Sequence, residues 1–256
     1  MAGEEGVADS TAGLPVFLVD ALPTGPAAVL DGPEGRHAAT VRRLRAGQRL
    51  LLSDGTGGLA HCDIAHVESG ALDLRVLRAW REPEPAPRVV LAQALVKGDR
   101  GELAVELATE AGVDAVLPWR ASRCVARWDD GPRGAKALAK WRSTAREAAK
   151  QARRSRLPEV GEPVSTKQLA ALVRAGAGAL VLHESATVPL PEVPLPTEGD
   201  LIIVVGPEGG ITDDEVAALT EAGAHAVRLG PTVLRASTAG AVALGALGVL
   251  TQRWRA

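Results

Sequence analysis

The run LIIVVGPEGG, Leu201 to Gly210, leaves the chain few folds to choose from. Leu201–Val205 is uninterrupted apolar sequence, the pattern of a strand buried on both faces. It stops at Gly206-Pro207-Glu208-Gly209-Gly210, where glycine permits positive φ and lets backbone approach a ligand closely. Thr212 then precedes Glu215 by three residues, the spacing of a helix capping box. A second apolar run, Ala226–Leu229, breaks in the same way at Gly230-Pro231. It leads into a helix of small residues from about Leu234. Two strand ends that each open into a glycine loop predict one crevice built mostly of backbone. The competing reading of the first loop is a tight turn that only joins strand to helix.

The flanking sequence supplies the sheet. Strand patterns at Arg88–Leu95, Ala115–Leu117 (ended by Pro118) and Ala179–Leu182 alternate with helix patterns at Gly101–Ala111, Arg133–Arg156 and Thr166–Ala175. That alternation predicts an α/β domain on a parallel sheet. Upstream, short strands are expected at Val16–Val19, Ala27–Leu30, Arg49–Ser53, Leu59–Val67 and Ala71–Leu77. With one helix at His37–Arg45 they suggest a small β-barrel. Between the two lies Arg81-Glu82-Pro83-Glu84-Pro85-Ala86-Pro87, which favours an extended linker. The expected division is a disordered start at 1–13, a barrel at 14–80, a linker at 81–87 and the α/β domain at 88–256.

Hydrophobic residues make up 46% of the 256, enough for a core without metals or disulfides. Cys62 and Cys124 are far apart and match no motif, which points to a reducing compartment. The start, MAGEEGVADSTAGLP, lacks the basic and apolar segments of a signal peptide. No apolar run approaches the ~20 residues of a membrane span. A cytoplasmic location with no membrane partner is expected. The net charge of −2 excludes a general polycation. Charge is nevertheless concentrated: Arg133, Lys136, Lys140, Arg142, Arg146, Lys150, Arg153, Arg154 and Arg156 face only Glu147 over that stretch. A solvated helix face is the plain reading; a surface for nucleic-acid phosphates is the other.

Other chemistries are weighed and set aside. The glycine loop has no lysine after it and does not match the phosphate-binding or dinucleotide spacings. His61, Cys62 and His66 are close in sequence, but alternation puts His61 and Cys62 on opposite faces, so no metal is expected. Ser237 has no histidine partner and no nucleophile elbow. Cys124 reads as a small buried residue. Gly240, Gly245 and Gly248 in the last helix suit close packing against a partner, including the same helix of a second subunit.

LVLHES (Leu180–Ser185), VVGPEGGIT (Val204–Thr212) and RLGPTVLRASTAG (Arg228–Gly240), in this order, resemble the SPOUT methyltransferases, and within them the RsmE family. QALVKGDRGE (Gln93–Glu102), ELATEAGVDAVLPWRASRC (Glu106–Cys124) and KQARRSRLPEV (Lys150–Val160) are similar to that family's upstream blocks. HAATVRRLRAGQRLLLSDGTG (His37–Gly57) is similar to its PUA-like RNA-binding barrel. The resemblance implies a trefoil-knotted C-terminal domain, a homodimer, and S-adenosylmethionine as cofactor. It implies methylation at N3 of a uridine in 16S ribosomal RNA, on the 30S subunit or its precursor. The cofactor residues it implies are Leu182, His183 and Glu184, then Gly206, Glu208, Gly209 and Ile211, then Leu229, Gly230, Leu234, Arg235, Ser237, Thr238 and Ala239. Arg235 is the catalytic candidate, unless it only pairs with a carboxylate such as Glu208. Arg42, Arg43, Arg45, Arg123, Arg146, Lys150, Arg153, Arg154 and Arg156 are the candidates for RNA. Ala236-Ser237 departs from the Thr-Glu that the family often carries, and Thr232 stands where it often has arginine. Two rival functions follow: a SPOUT enzyme for another RNA such as tRNA, and a non-catalytic RNA-binding ribosome assembly factor.

Overall fold

A computed structural model describes residue 11 and residues 13–254. The expectation of a disordered start therefore lies, but for positions 11 and 13, outside the described residues. The chain divides into two compact units, Met1–Pro83 with Arg153–Arg156, and Glu84–Ala152 with Leu157–Ala256.

The first unit holds strands β1 (Val16–Leu18), β2 (Ala27–Leu30), β3 (Arg49–Ser53), β4 (Gly58–Glu68) and β5 (Ala71–Arg81). They form one sheet in the order β1-β3-β4-β5-β2, antiparallel except for β1 beside β3. Phe17, Leu30, Leu50, Leu52, Ile64, Leu72 and Leu74 make its core. A bulge between His61 and Cys62 breaks the alternation expected of them, and both are buried. Burial pushes the Cys62 thiol up to about 11, with the Asp63 charge adding to it, so this cysteine is inert.

The helix expected at His37–Arg45 is displaced. It starts at Gly32 as α1 (Gly32–Arg36), with Pro33 in the first turn, and continues as a wide turn over His37–Val41. Arg43 has φ +53°, which ends the helix, so Arg42, Arg43 and Arg45 sit on the exposed turn beyond it.

The second unit is a three-layer α/β/α sandwich. Its strands are β6 (Arg88–Ala94), β7 (Ala115–Arg120), β8 (Glu159–Val160), β9 (Val164–Ser165), β10 (Gly178–Leu182), β11 (Asp200–Val205) and β12 (His225–Val227). They run in the order β12-β10-β11-β6-β7-β8, with β9 also on β7, and every pairing is parallel. Its helices are α2 (Arg100–Glu110), α3 (Pro132–Gln151), α4 (Thr166–Ala175), α5 (Asp213–Glu221) and α6 (Ala236–Leu250). Successive strand residues take opposite faces. Val89, Leu91, Leu201 and Ile203 pack with Val105 of α2, Trp141 of α3 and Leu244 of α6. Val90, Ala92, Ile202 and Val204 pack with Leu169 of α4 and Leu219 of α5. The continuous apolar run of β11 is thus explained by burial on both sides.

Pro118 does not end its strand. It lies inside β7, between the stretch paired with β8 (to Val116) and the stretch paired with β9 (from Trp119). A missing N–H costs no ladder bond in that gap.

The path after β12 gives the domain its topology. Arg228 N–H donates to the Val188 carbonyl at 2.8 Å, and Leu190 N–H to the Arg228 carbonyl at 3.1 Å. The chain then reaches α6, which packs on β6, β11 and α2. It therefore runs back along the β10–β11 connection to the other side of β10, as threading through a knot loop requires.

The long basic helix is shorter than its charge pattern. α3 ends at Gln151 and Arg153 has φ +56°, so Arg153, Arg154 and Arg156 lie off the helix. They belong to the first unit, where the Ser155 carbonyl accepts from Ser53 Oγ (3.1 Å) and Gly57 N–H (2.9 Å). Arg156 donates to the carbonyls of Thr56 (2.6 Å) and Glu82 (2.7 Å), so its guanidinium braces backbone and is not presented to a phosphate. On α3 itself, Lys140 pairs with Glu102 of α2 (2.9 Å) and Arg142 with Glu162 (2.9 Å). The missing acidic partners come from other elements.

The glycines of α6 are used within the chain. A Cβ on Gly248 would lie 2.3 Å from the Trp254 ring, and one on Gly240 would lie 3.0 Å from Leu91. These contacts within the chain account for Gly240 and Gly248.

Candidate functional site: a cleft at the ends of three parallel strands

Strands β10, β11 and β12 lie side by side and point the same way, so the loops that leave their C-terminal ends meet. Between them lies a cleft of about 740 Å³, within the range of small-molecule sites. Every cofactor residue expected from the resemblance lines it except Thr238. The Thr238 hydroxyl turns back to the Arg235 carbonyl at 3.2 Å, closing the first turn of α6.

Each loop is held in shape by its own backbone. In the first, His183 N–H donates to the Val227 carbonyl (3.1 Å), tying the end of β10 to β12. In the second, Gly210 N–H closes a turn onto the Pro207 carbonyl (2.9 Å), and Gly210 has φ +76°. Gly206 is needed for a different reason. A Cβ there would sit 2.6 Å from Cγ1 of Ile211, which is buried beneath the loop. In the third, Thr238 and Ala239 N–H groups donate to the Arg235 carbonyl (2.9 and 3.0 Å) as α6 begins. Ser237 is buried at the cleft wall.

Glu215 braces the second loop. It is 4% exposed and accepts from Ser122 N–H (2.8 Å), the Thr166 hydroxyl (2.9 Å), Thr212 N–H (3.2 Å) and the Thr212 hydroxyl (3.0 Å). Burial alone would push its carboxyl up. The backbone donors of Ser122 and Thr212, with the two threonine hydroxyls, outweigh burial and hold it below the ordinary glutamate range. The capping box was legible in the sequence. The bonds to Ser122 and Thr166 were not, because those residues are brought in by the fold.

The cleft also carries charge. Arg100, Arg123, Arg228 and Arg235 share it with Glu184, Glu208 and Asp213. Arg123 was expected to meet RNA; its Nη1 donates to the Gly209 carbonyl at 3.0 Å, beside the glycine loop. Glu208 does not brace Arg235. Its partner is Arg100, at 3.5 Å. Arg100 was missed, although it lies in the KGDRGE block just past the end of β6, the neighbour of β11. The rule that ligands sit at the carboxyl ends of parallel strands could have found it. Of the other RNA candidates, Arg42, Arg43, Arg45 and Arg153 are exposed in the first unit and Arg146 is exposed on α3, while Lys150 pairs with Glu147 at 3.7 Å. Burial raises the Cys124 thiol above its ordinary value, so it adds no nucleophile.

Comparison with known proteins agrees with this geometry. Residues 82–248 match the family model of an RNA methyltransferase domain, and residues 30–77 match that of an RNA methyltransferase PUA domain. The chain is 57% identical over 246 residues to the ribosomal RNA small subunit methyltransferase E of Mycobacterium tuberculosis, covering 94% of each. It is 32% identical over 235 residues to the protein of that name from Bacillus subtilis, covering 88% of this chain and 91% of that one. Among solved structures it is similar to a ribosomal RNA small subunit methyltransferase E from Neisseria gonorrhoeae bound to S-adenosyl methionine. There the TM-score is 0.78 and the identity 29%, over 93% of this chain and 98% of that one.

Proposed function

The chain belongs to the ribosomal RNA small subunit methyltransferase E family, and from that premise we propose that it transfers a methyl group from S-adenosylmethionine to N3 of a uridine in 16S ribosomal RNA. The observation that carries this reading is the convergence of three strand-end loops on one cleft, with backbone for much of its wall. The cleft suits the cofactor chemically. Gly206 has no room for a side chain, and Leu229 and Leu234 offer apolar edges to a flat ring. When bound, S-adenosylmethionine supplies a methyl group already activated on a positive sulfur.

The chain's own residues have three tasks. The backbone of the loops at Leu182–Glu184, Gly206–Gly209 and Leu229–Gly230 holds and orients the cofactor, with Leu234, Ser237 and Ala239 completing the wall. Arg235, at the mouth of α6 and not bound to Glu208, offsets the negative charge that grows on the uracil as N3 loses its proton. The proton goes to water, since Ser237 stands where the family often has glutamate. RNA is held by cations: Arg42, Arg43, Arg45 and Arg153 in the first unit, Arg146 on α3, and Arg123 at the cleft. The target base must leave its stack to enter. In this division of labour residues 14–80, joined by Arg153, dock RNA, 81–87 link, and the remainder of 88–256 carries out transfer and adds Arg123 and Arg146 to the RNA contacts.

The protein acts as a homodimer. Val242 (46% exposed), Val249 (64%) and Leu250 (44%) on α6, with Leu103 (42%) on the adjoining α2, offer an apolar surface for a second copy. Light scattering should give twice the 26.4 kDa chain mass; a stable monomer would contradict the dimer. Among the described residues no helix is long and apolar enough to cross a membrane, and work on the 30S subunit or its precursor places the protein in the cytoplasm.

Two measurements test the function. Titration calorimetry should show S-adenosylmethionine binding; none at millimolar cofactor would sink the enzyme reading in favour of an assembly factor. Mass mapping of small-subunit RNA from a deletion strain should show loss of 3-methyluridine. Its persistence would mean a different RNA target, such as tRNA.

A further inference from the structure

Arg100 and Glu208 meet across the cleft, one from the start of α2 and the other from the second glycine loop. Their pairing is loose. The nitrogen–oxygen distance of 3.5 Å exceeds that of a charge-assisted hydrogen bond, and the side chains are 51% and 35% exposed. An exposed pair of this kind contributes little to stability, so it can be exchanged cheaply for another partner. On the far side of the same turn, Arg123 is committed differently, donating to the Gly209 carbonyl. Arg100 thus has a weakly held guanidinium at the wall of the cleft, and its present partner is an anion.

We infer that Arg100 is a positioning residue for the RNA: it holds a backbone phosphate next to the target nucleotide, and Glu208 occupies it until RNA docks. The inference rests on the functional reading above and adds a residue to it. A guanidinium suits phosphate because its fork of donors matches two phosphate oxygens. The pair also makes a prediction of opposite signs. Removing Arg100 removes a phosphate contact. Removing the charge of Glu208 removes the competitor.

The test is titration of the full-length protein, without cofactor, into a fluorescent single-stranded RNA containing uridine, at several salt concentrations. R100Q should weaken binding about tenfold at moderate salt. It should also flatten the dependence of log Kd on log salt by roughly 0.7, the share of one single-strand phosphate contact. E208Q should tighten binding by roughly threefold, and the double variant should lose that gain. A structural role for either residue would not give opposite signs or move the salt slope. If R100Q leaves Kd and salt slope unchanged while the wild type binds, the inference falls alone. If R100Q instead weakens S-adenosylmethionine in calorimetry and spares RNA, Arg100 serves the cofactor and the inference is overturned. Failure of the wild type to bind RNA would overturn the functional reading and this inference with it.

Discussion

Glu215 and Gly206 show what single residues decide at this site. Glu215 is anionic, buried and bonded on both oxygens, so removing its charge leaves donors at Ser122, Thr166 and Thr212 with a weaker acceptor. E215Q should cost about 1–3 kcal/mol at neutral pH, read as a drop in thermal midpoint. Its folded pKa is lowered, so its stabilisation is complete above the unfolded value of about 4.3 and is lost as pH falls through the folded value. The gap between the melting curves of wild type and E215Q should therefore narrow as pH falls below the ordinary glutamate range; a gap that stays constant down to the acid limit of folding would show that the carboxylate charge is not what matters. G206A forces a methyl group against Ile211 and must shift the second loop. Calorimetry should show S-adenosylmethionine affinity lowered about tenfold, the equivalent of a modest overpacking strain. Unchanged affinity would remove Gly206 from the cofactor site.

At the scale of elements, α3 and α6 were legible in kind, and α3 was misread in detail. The nine basic residues in sequence looked like one ridge, but α3 stops at Gln151, and two of its cations meet carboxylates of other elements. Charge balance along a sequence omits partners that arrive from elsewhere. On α6 the glycines looked like a close-packing face, and two of them, Gly240 and Gly248, accommodate Leu91 and Trp254 of the same chain. The two roles can be separated by experiment. G248V should displace the Trp254 ring, seen as a red shift in tryptophan emission, and leave the light-scattering mass unchanged. V249E combined with L103E should halve that mass, since both are exposed apolar residues on the helices proposed to meet a second copy. If G248V produces monomers and the double variant does not, the dimer is built on the glycines after all.

For the molecule as a whole, the chain's last described turn closes its α/β unit. Arg253 donates to Asp114 (2.8 Å) and to the carbonyls of Pro87 (2.6 Å) and Gly112 (2.7 Å), and Asp114 accepts from Val89 N–H (2.8 Å). The pair is only 10% and 8% exposed. Breaking a buried pair by removing one partner costs about 3–5 kcal/mol. R253A should lower the thermal midpoint by roughly 6–20 °C, measured by calorimetry; a shift within a degree or two would show that water replaces the guanidinium. The first unit is discontinuous in the same spirit, since Arg153–Arg156 supply its Ser155 and Arg156 contacts.

By itself, the sequence determined the alternating strands and helices, the burial of β11 on both faces, the capping of α5 and the two glycine loops. All of these are local: they depend on periodicity, on backbone freedom and on residues within one turn of each other. The residues named from the resemblance of three short blocks nearly all line one cleft, because loops at the ends of neighbouring parallel strands must converge. Only the tertiary structure decided which charges are paired, which helix residues face a neighbour, and which arginine meets Glu208. Those outcomes depend on groups far apart in the chain, and a linear pattern carries no record of their distance.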